Sequence, residues 1–233
     1  MTEEEKIEVC PKPKLDKKVL LSVFIGIAAV FFVMILINSF IFKIVSGQKA
    51  AFYLSVLASN TLFIVLIFII KTNKKLTWND LGWKRVNFFA GLKRVLIIWA
   101  ITWFIDLVYL LIINYLGIAP QGNELVQLLQ KPTFLILLAN VSLIAIIAPF
   151  IEETLFRGLL FGSLRTYCGT WMAITISAVI FSALHFDLLG FVPRFVLGMG
   201  LGYLYVKHNS IFPSVGLHGL NNLLAVIMIS TVT

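Results

Sequence analysis

Two long uncharged runs limit what this chain can become. Val19 to Phe42 contains 24 residues and Ala50 to Ile70 contains 21, with no charge or histidine in either. About 20 apolar residues are enough for a helix to cross the hydrocarbon of a bilayer, so each run reads as a transmembrane helix. Val95 to Ile118 is a third span, interrupted only by Asp106. Thr133 to Ile151 is uncharged until Glu152 and Glu153, after which the apolar pattern resumes to Gly162 in one long helix. Shorter spans follow at Thr170 to Leu184, at Leu188 to Val206 (with Pro193 and Arg194), and at Ile211 to Thr233, which contains His218. An all-α, polytopic bundle of about seven spans is expected, in a multi-pass protein of the cell membrane.

Composition supports this. Of the residues, 60% are hydrophobic and 13% charged, against about 25% charged in a soluble domain. The net charge of +8 does not mark a nucleic-acid binder, because seven of the nineteen basic residues lie between Lys71 and Arg94, linking two apolar runs. Cytoplasmic loops carry such an excess, so the expected orientation is N-in and C-out. Residues 76–94, with Trp78 and Trp83 beside Lys84 and Arg85, are expected partly in the cytoplasmic interface. Cys10 and Cys168 fall on the same, reducing side, so a disulfide is not expected. Residues 1–18 form a mixed-charge tail, 19–131 a framework of three spans and an interfacial loop, and 132–233 the working core. No cleavable signal or lipobox is visible at the N-terminus.

Ionisable groups within spans cost roughly 2.5–3.5 kcal/mol each on insertion scales and are functional candidates by default. Here they gather in the last four spans: Glu152, Glu153, Arg157, His185, Asp187, Arg194 and His218, with Asn221 and Asn222 alongside. Adjacent helical residues diverge by about 100°, so Glu152 and Glu153 cannot face one cavity squarely. Glu153 and Arg157, four apart, can form a charge-assisted pair, leaving Glu152 as the free carboxylate and candidate general base. The glutamates could merely mark a helix end, but an interfacial end would not need the arginine. His218 and Asn222 share a helix face, while Asn221 points about 60° from His218. His185 sits near the outer end of its span and Glu152 and His218 lie deeper. Either that span is late and tilted, or His185 is outside the site. His208 reads as a solvated loop residue, and Asp106 as an isolated polar contact without an assigned role. Gly198, Gly200 and Gly202 read as small residues that let helices approach. The chain lacks a His-Glu-x-x-His zinc pair, a rhomboid-type Gly-x-Ser-Gly and a Gly-x-Gly-Asp aspartyl motif.

Three motifs therefore stand in order: Glu152-Glu153-x-x-x-Arg157, Phe181-x-x-x-His185 and His218-x-x-x-Asn222. Together they resemble the CPBP family (CAAX proteases and bacteriocin-processing enzymes, also called the Abi family). Gly202-Tyr-Leu-Tyr and Ser210-Ile-Phe-Pro-Ser add to the likeness, which covers about residues 132–230. The doubled asparagine at 221–222 departs from the pattern. The resemblance implies an intramembrane endopeptidase in which Glu152 activates water and His185 polarises the water or the scissile carbonyl. His218 and Asn222 would stabilise the oxyanion, with Glu153 and Arg157 in support. The family often carries the name metalloprotease, and Glu152, His185 and His218 match the ligand count of a catalytic zinc site. Glu153 would then have to act as base, and asparagine is a poor zinc ligand, so metal-free glutamate chemistry is favoured. The expected substrate is a membrane-bound or hydrophobic peptide: a CAAX-type protein or a bacteriocin or pheromone precursor, in processing or self-immunity. The alternative is a non-catalytic immunity or scaffold protein that binds a toxin or partner. A small transporter is less favoured, since the polar groups form one site and do not line a path.

Overall fold

In a computed structural model that describes residues 14–118 and 129–231, the chain is helical, with no strand among the described residues. The tail up to residue 13, including Cys10, lies outside them, as do residues 119–128 of the expected polar loop and the last two residues. Helices α1 (Lys17–Ile44) and α2 (Gln48–Asn73) form an adjacent pair, and α3 spans Phe88–Tyr115. A 50-residue helical stretch, α4 (Phe134–Ala183), is followed by α5 (Phe191–His208) and α6 (Phe212–Thr231). By length and apolarity α1, α2, α3, α4 and α6 can each cross a membrane, and the protein is a multi-pass membrane protein.

Local chemistry sets the helix starts. Asp16 accepts from the Lys18 and Val19 backbone N–H groups, and Asn87 accepts from that of Ala90. The Asn87 cap places the start of α3 seven residues before the expected Val95, so Lys93 and Arg94 belong to the helix. Long basic side chains are tolerated there because their charged ends reach outward from a helix end.

The expected fourth and fifth spans are the two arms of α4. Gly169, at φ 75° and ψ 176°, breaks the helix. Ser177 Oγ donates to Phe156 O at 3.2 Å, and the Phe156 and Phe181 rings lie 5.2 Å apart. Residues 21 apart on a straight helix would be separated by about 31 Å, so the chain reverses at Gly169. A left-handed residue is needed for this, and glycine adopts that conformation without the Cβ penalty. Among the described residues seven long helical segments result, although the returning arm is shorter than the roughly 30 Å hydrocarbon thickness.

The first arm of α4 is not a regular α-helix. Val141–Ile147 and Thr154–Phe161 are π-helical and flank the α-helical turns of Ala148–Glu153. Pro149 has no N–H to donate, so the regular bond back to Ala145 O cannot form. Helix α6 occupies the freed side. Asn222 Nδ2 donates to Ile144 O at 2.9 Å, and a Cβ on Gly219 would lie 2.7 Å from Ala145 O. The glycine stripe of α5 also works by close approach: Gly198 sits against Ala178, Gly200 against Ile98 and Gly202 against Ile174.

The connection between α2 and α3 is tucked into the bundle. Leu81 is fully buried, Trp83 Nε1 donates to Thr154 Oγ1 at 3.1 Å, and Ile211 N donates to Gly82 O at 2.9 Å. Gly158 lets this loop approach α4, since a Cβ there would lie 2.7 Å from Leu81 O. Trp78 stays half-exposed, with Lys71 Nζ 5.0 Å above its ring.

Gly158→Ala should therefore force backbone apart and lower stability by about 1–3 kcal/mol. Gly216→Ala, whose Cβ would meet only Val95 Cγ2 at 3.9 Å, should be neutral or slightly stabilising. Thermal unfolding of both variants in detergent checks the contrast.

Candidate active site

The second π segment and the turn before it hold the charged motif. Glu153 is 0% exposed and Arg157 1% exposed. Arg157 Nη1 donates to Glu153 Oε1 at 3.2 Å, Nε lies 3.2 Å from Oε2, and Nη2 donates to Gly198 O at 3.1 Å. The guanidinium also lies 5.0 Å over the Phe181 ring. A buried cation with this many partners is held by hydrogen bonds, a carboxylate and a π face together.

Glu153 has a second partner. His218 Nδ1 lies 2.9 Å from Glu153 Oε1, so in the tautomer this contact favours, Nδ1–H donates and Nε2 is left to the cavity. That Nε2 stands 3.8 Å from Glu152 Oε2. The gap is long for a direct hydrogen bond and suits a shared third atom. Although two adjacent glutamates diverge around the helix, one imidazole touches both because its two nitrogens point in different directions. Glu152 itself is 28% exposed, and its Oε2 has no hydrogen-bond partner.

His185 lies in the turn that follows the returning arm of α4. Its Nδ1 is 2.8 Å from Phe181 O, which again leaves Nε2 free. Together with Glu152 it lines a cavity of about 370 Å³. The depth difference expected between the two is removed by the reversal at Gly169. From Glu152 to Gly169 the helix rises about 25 Å, and from Gly169 back to His185 about 24 Å, so the two arms end level. Phe181 joins the parts, with ring centroids 5.0 Å from His185 and 5.6 Å from His218.

Asn222 is partly buried one turn beyond His218, and its amide is engaged with Ile144 O. His208 lies away from this cluster as the last residue of α5, with Nε2 3.4 Å from Arg94 Nη1; it is a helix-end contact and not a loop bystander. Cys168, just before the reversal, is free and exposed. Among the described residues, no three histidine, cysteine, aspartate or glutamate side chains converge closely enough to hold a metal ion. Of the expected ligand set, Glu152 and His218 face each other and His185 shares a cavity wall with Glu152.

Sequence reasoning missed half of the cavity wall. Val30, Phe31, Met34, Ile35 and Asn38 from α1, with Ser59 and Phe63 from α2, face Glu152 and His185 across it. Helices α1 and α2 are therefore part of the site's enclosure as well as framework. Asn38 was the available signal, a polar amide within an otherwise apolar span. Gly219 was also missed as a site support. It borders His218 and lets α6 close on the freed carbonyl of α4.

The turn carrying His185 has its own anchor. Asp187 accepts from Gly190 N–H at 3.0 Å and from Arg194 Nη1 at 3.0 Å. The Gly190 bond first, and the arginine after it, hold the Asp187 carboxyl below its ordinary value against the opposing effect of partial burial.

Over residues 133–224 the chain matches the family described as Type II CAAX prenyl endopeptidase Rce1-like. It is also 32% identical over 84 residues to "Putative membrane peptidase YdiL" of Bacillus subtilis (strain 168). That alignment covers 36% of this chain and 34% of the relative, so the matched part spans about a third of the relative's length. No solved structure matches the chain.

Two outcomes follow from the geometry. Arg157→Met strands a buried carboxylate and should cost about 3–5 kcal/mol, and adding Glu153→Gln should recover part of that loss; thermal unfolding of the single and double variants checks it. For Asp187, a lowered folded pKa means its stabilisation is complete above the unfolded carboxyl value of about 3.9 and fades as pH falls through the folded value. The difference in unfolding temperature between the natural chain and Asp187→Asn should therefore be constant near neutrality and shrink below about pH 4.

Proposed function

We propose that this chain, which belongs through residues 133–224 to the CPBP family of membrane proteases, hydrolyses a peptide bond of a membrane-held substrate with water activated by Glu152. One observation carries the proposal. Glu152 has an unbonded carboxylate oxygen facing His218 Nε2 at 3.8 Å, on a cavity it shares with His185, while Glu153 beside it is neutralised by Arg157.

A water between Glu152 and His218 would lose a proton to the carboxylate as its oxygen attacks the scissile carbonyl. The new C–O bond places negative charge on the former carbonyl oxygen. His185 and His218 offer Nε2 to that region. With Nδ1–H already committed in both rings, it is the imidazolium form whose Nε2–H donates to the oxyanion, and pre-placed donors of this kind stabilise it in a water-poor site. As the intermediate collapses, the C–N bond breaks and the proton held by Glu152 passes to the leaving amine. Glu153 fixes the ring of His218, and Arg157 balances the charge of Glu153. Asn222 positions α6 through Ile144 O. No step here is routed through an ion.

The largely apolar cavity between α1, α2 and α4 supports a hydrophobic or lipid-modified peptide as substrate. CAAX-type processing and precursor or immunity processing both fall in this class, and the proposed setting is a bacterial plasma membrane. A positioned general base contributes about 10²- to 10⁴-fold to a rate. Glu152→Gln should therefore lower cleavage by that factor while leaving expression and thermal unfolding unchanged. The check is to compare membrane peptidomes of cells carrying either form, and turnover of farnesylated and unmodified fluorogenic peptides. Full activity in Glu152→Gln would refute the proposed chemistry. Retained protection of cells without cleavage would favour a binding role.

A further inference from the structure

A second cavity, of about 490 Å³, lies between α3 and α6. Trp103, Asp106, Leu107 and Leu110 of α3 and Asn221, Ala225 and Met228 of α6 form most of its wall, which Phe104 of α3 and Pro193 of α5 complete. Both sets repeat at three or four residues, so the cavity is a groove running along two helix faces for about two turns, or 10 Å. Such a groove has the shape that receives another helix. Much of α3 has no partner among the described residues: Phe104, Leu107 and Leu110 are all more than half exposed.

The groove is not purely apolar. Asp106 is the single acidic residue of α3, 18 residues from its start and nine from its end, and its Oδ1 is buried without a hydrogen-bond partner. Asn221 faces the same space. The doubled asparagine is thus divided between two faces of α6, with Asn222 turned to α4 and Asn221 turned to this groove. An ionisable group at membrane depth is costly unless it is paired, and such groups usually mark the place of a partner. Among the described residues of the last four helical segments, Arg157 is bound to Glu153 and Arg194 to Asp187, so neither is a spare cation for Asp106.

We propose that this groove is a docking site for a transmembrane helix of another protein that carries a lysine or arginine, paired with Asp106 and contacted by Asn221. Small Ala225 on the floor leaves room for the incoming backbone, and Trp103 and Met228 pack on its apolar flanks. Hydrocarbon offers no competing water, so a buried basic side chain gains both a counter-charge and a hydrogen bond there. The site is separate from the Glu152 cavity and does not depend on the proposed reaction. A helix docked there would bear on the same α6 that carries His218.

The test uses the full chain reconstituted in phosphatidylcholine vesicles. The probe is a dansyl-labelled, leucine-rich transmembrane peptide with one lysine a third of the way along, and the control peptide has leucine there. Energy transfer from tryptophan to dansyl reports association. The lysine peptide should associate at least tenfold more strongly than the leucine peptide. That preference should vanish in Asp106→Asn and fall in Ala225→Leu, which fills the floor without touching the carboxylate. Unchanged thermal unfolding shows that each variant is folded. Equal association of the two peptides, or a preference that Asp106→Asn does not alter, overturns the proposal. Energy transfer between copies of the chain that depends on Asp106 also overturns it, because the groove would then be an interface of the chain with itself.

Discussion

A guanidinium buried at membrane depth has to be neutralised where it stands, and much of the working half of this protein is arranged around that requirement. Arg157 reaches a carboxylate on its own helix, a backbone carbonyl on α5 and an aromatic face on the returning arm of α4. Each partner imposes a condition. Gly198 must lack a side chain for α5 to come close, and Phe181 must return to the level of Arg157, which requires the reversal at Gly169. Glu153, once committed to Arg157, can still accept from His218, and this brings in α6. Breaking such a network exposes an uncompensated charge, so its members stand or fall together.

The irregularity of α4 has a constructive role. Pro149 and the π-helical turns leave the carbonyls of Ile144 and Ala145 available to the neighbouring helix, and π turns often occur where function needs a helix to be re-aimed. Asn222 and Gly219 use those carbonyls, one by donating a hydrogen bond and the other by allowing contact. As a result α6 is registered against α4 within a turn of His218. The imidazole then spans two carboxylates with opposite tasks, one neutralised and shut away, the other facing a cavity.

Much of this was legible in the chain. The uncharged runs showed helices in lipid, and the four-residue spacing of Glu153 and Arg157 showed a pair, because a helix places those positions on one face. The start of α3 was misplaced by seven residues, since hydropathy stops at Lys93 and Arg94 whereas the helix begins at the Asn87 cap. His185 looked out of register with Glu152 because the apolar pattern of the first arm stops at Gly162, whereas the helix runs on to the break at Gly169. Gly169 was the clue to the reversal. The α1 and α2 wall was not legible, because apolar residues facing lipid and apolar residues facing a cavity have the same composition.

By itself the sequence determined the solvent, the helical class and the short set of polar residues that lipid would not tolerate without a purpose. Those properties follow from local quantities: the length of an apolar run, the period of a helix, the cost of an unpaired charge. Only the tertiary structure decided which polar groups meet. Glu152, His185 and His218 are separated by tens of residues, and their meeting depends on a reversal, a close helix crossing at Gly219 and the second nitrogen of one imidazole. It also separated Asn221 from Asn222, neighbours in the chain that diverge by about 100° around α6 and meet different helices. Contacts between elements depend on how helices pack, and no single helix carries that information in its own sequence.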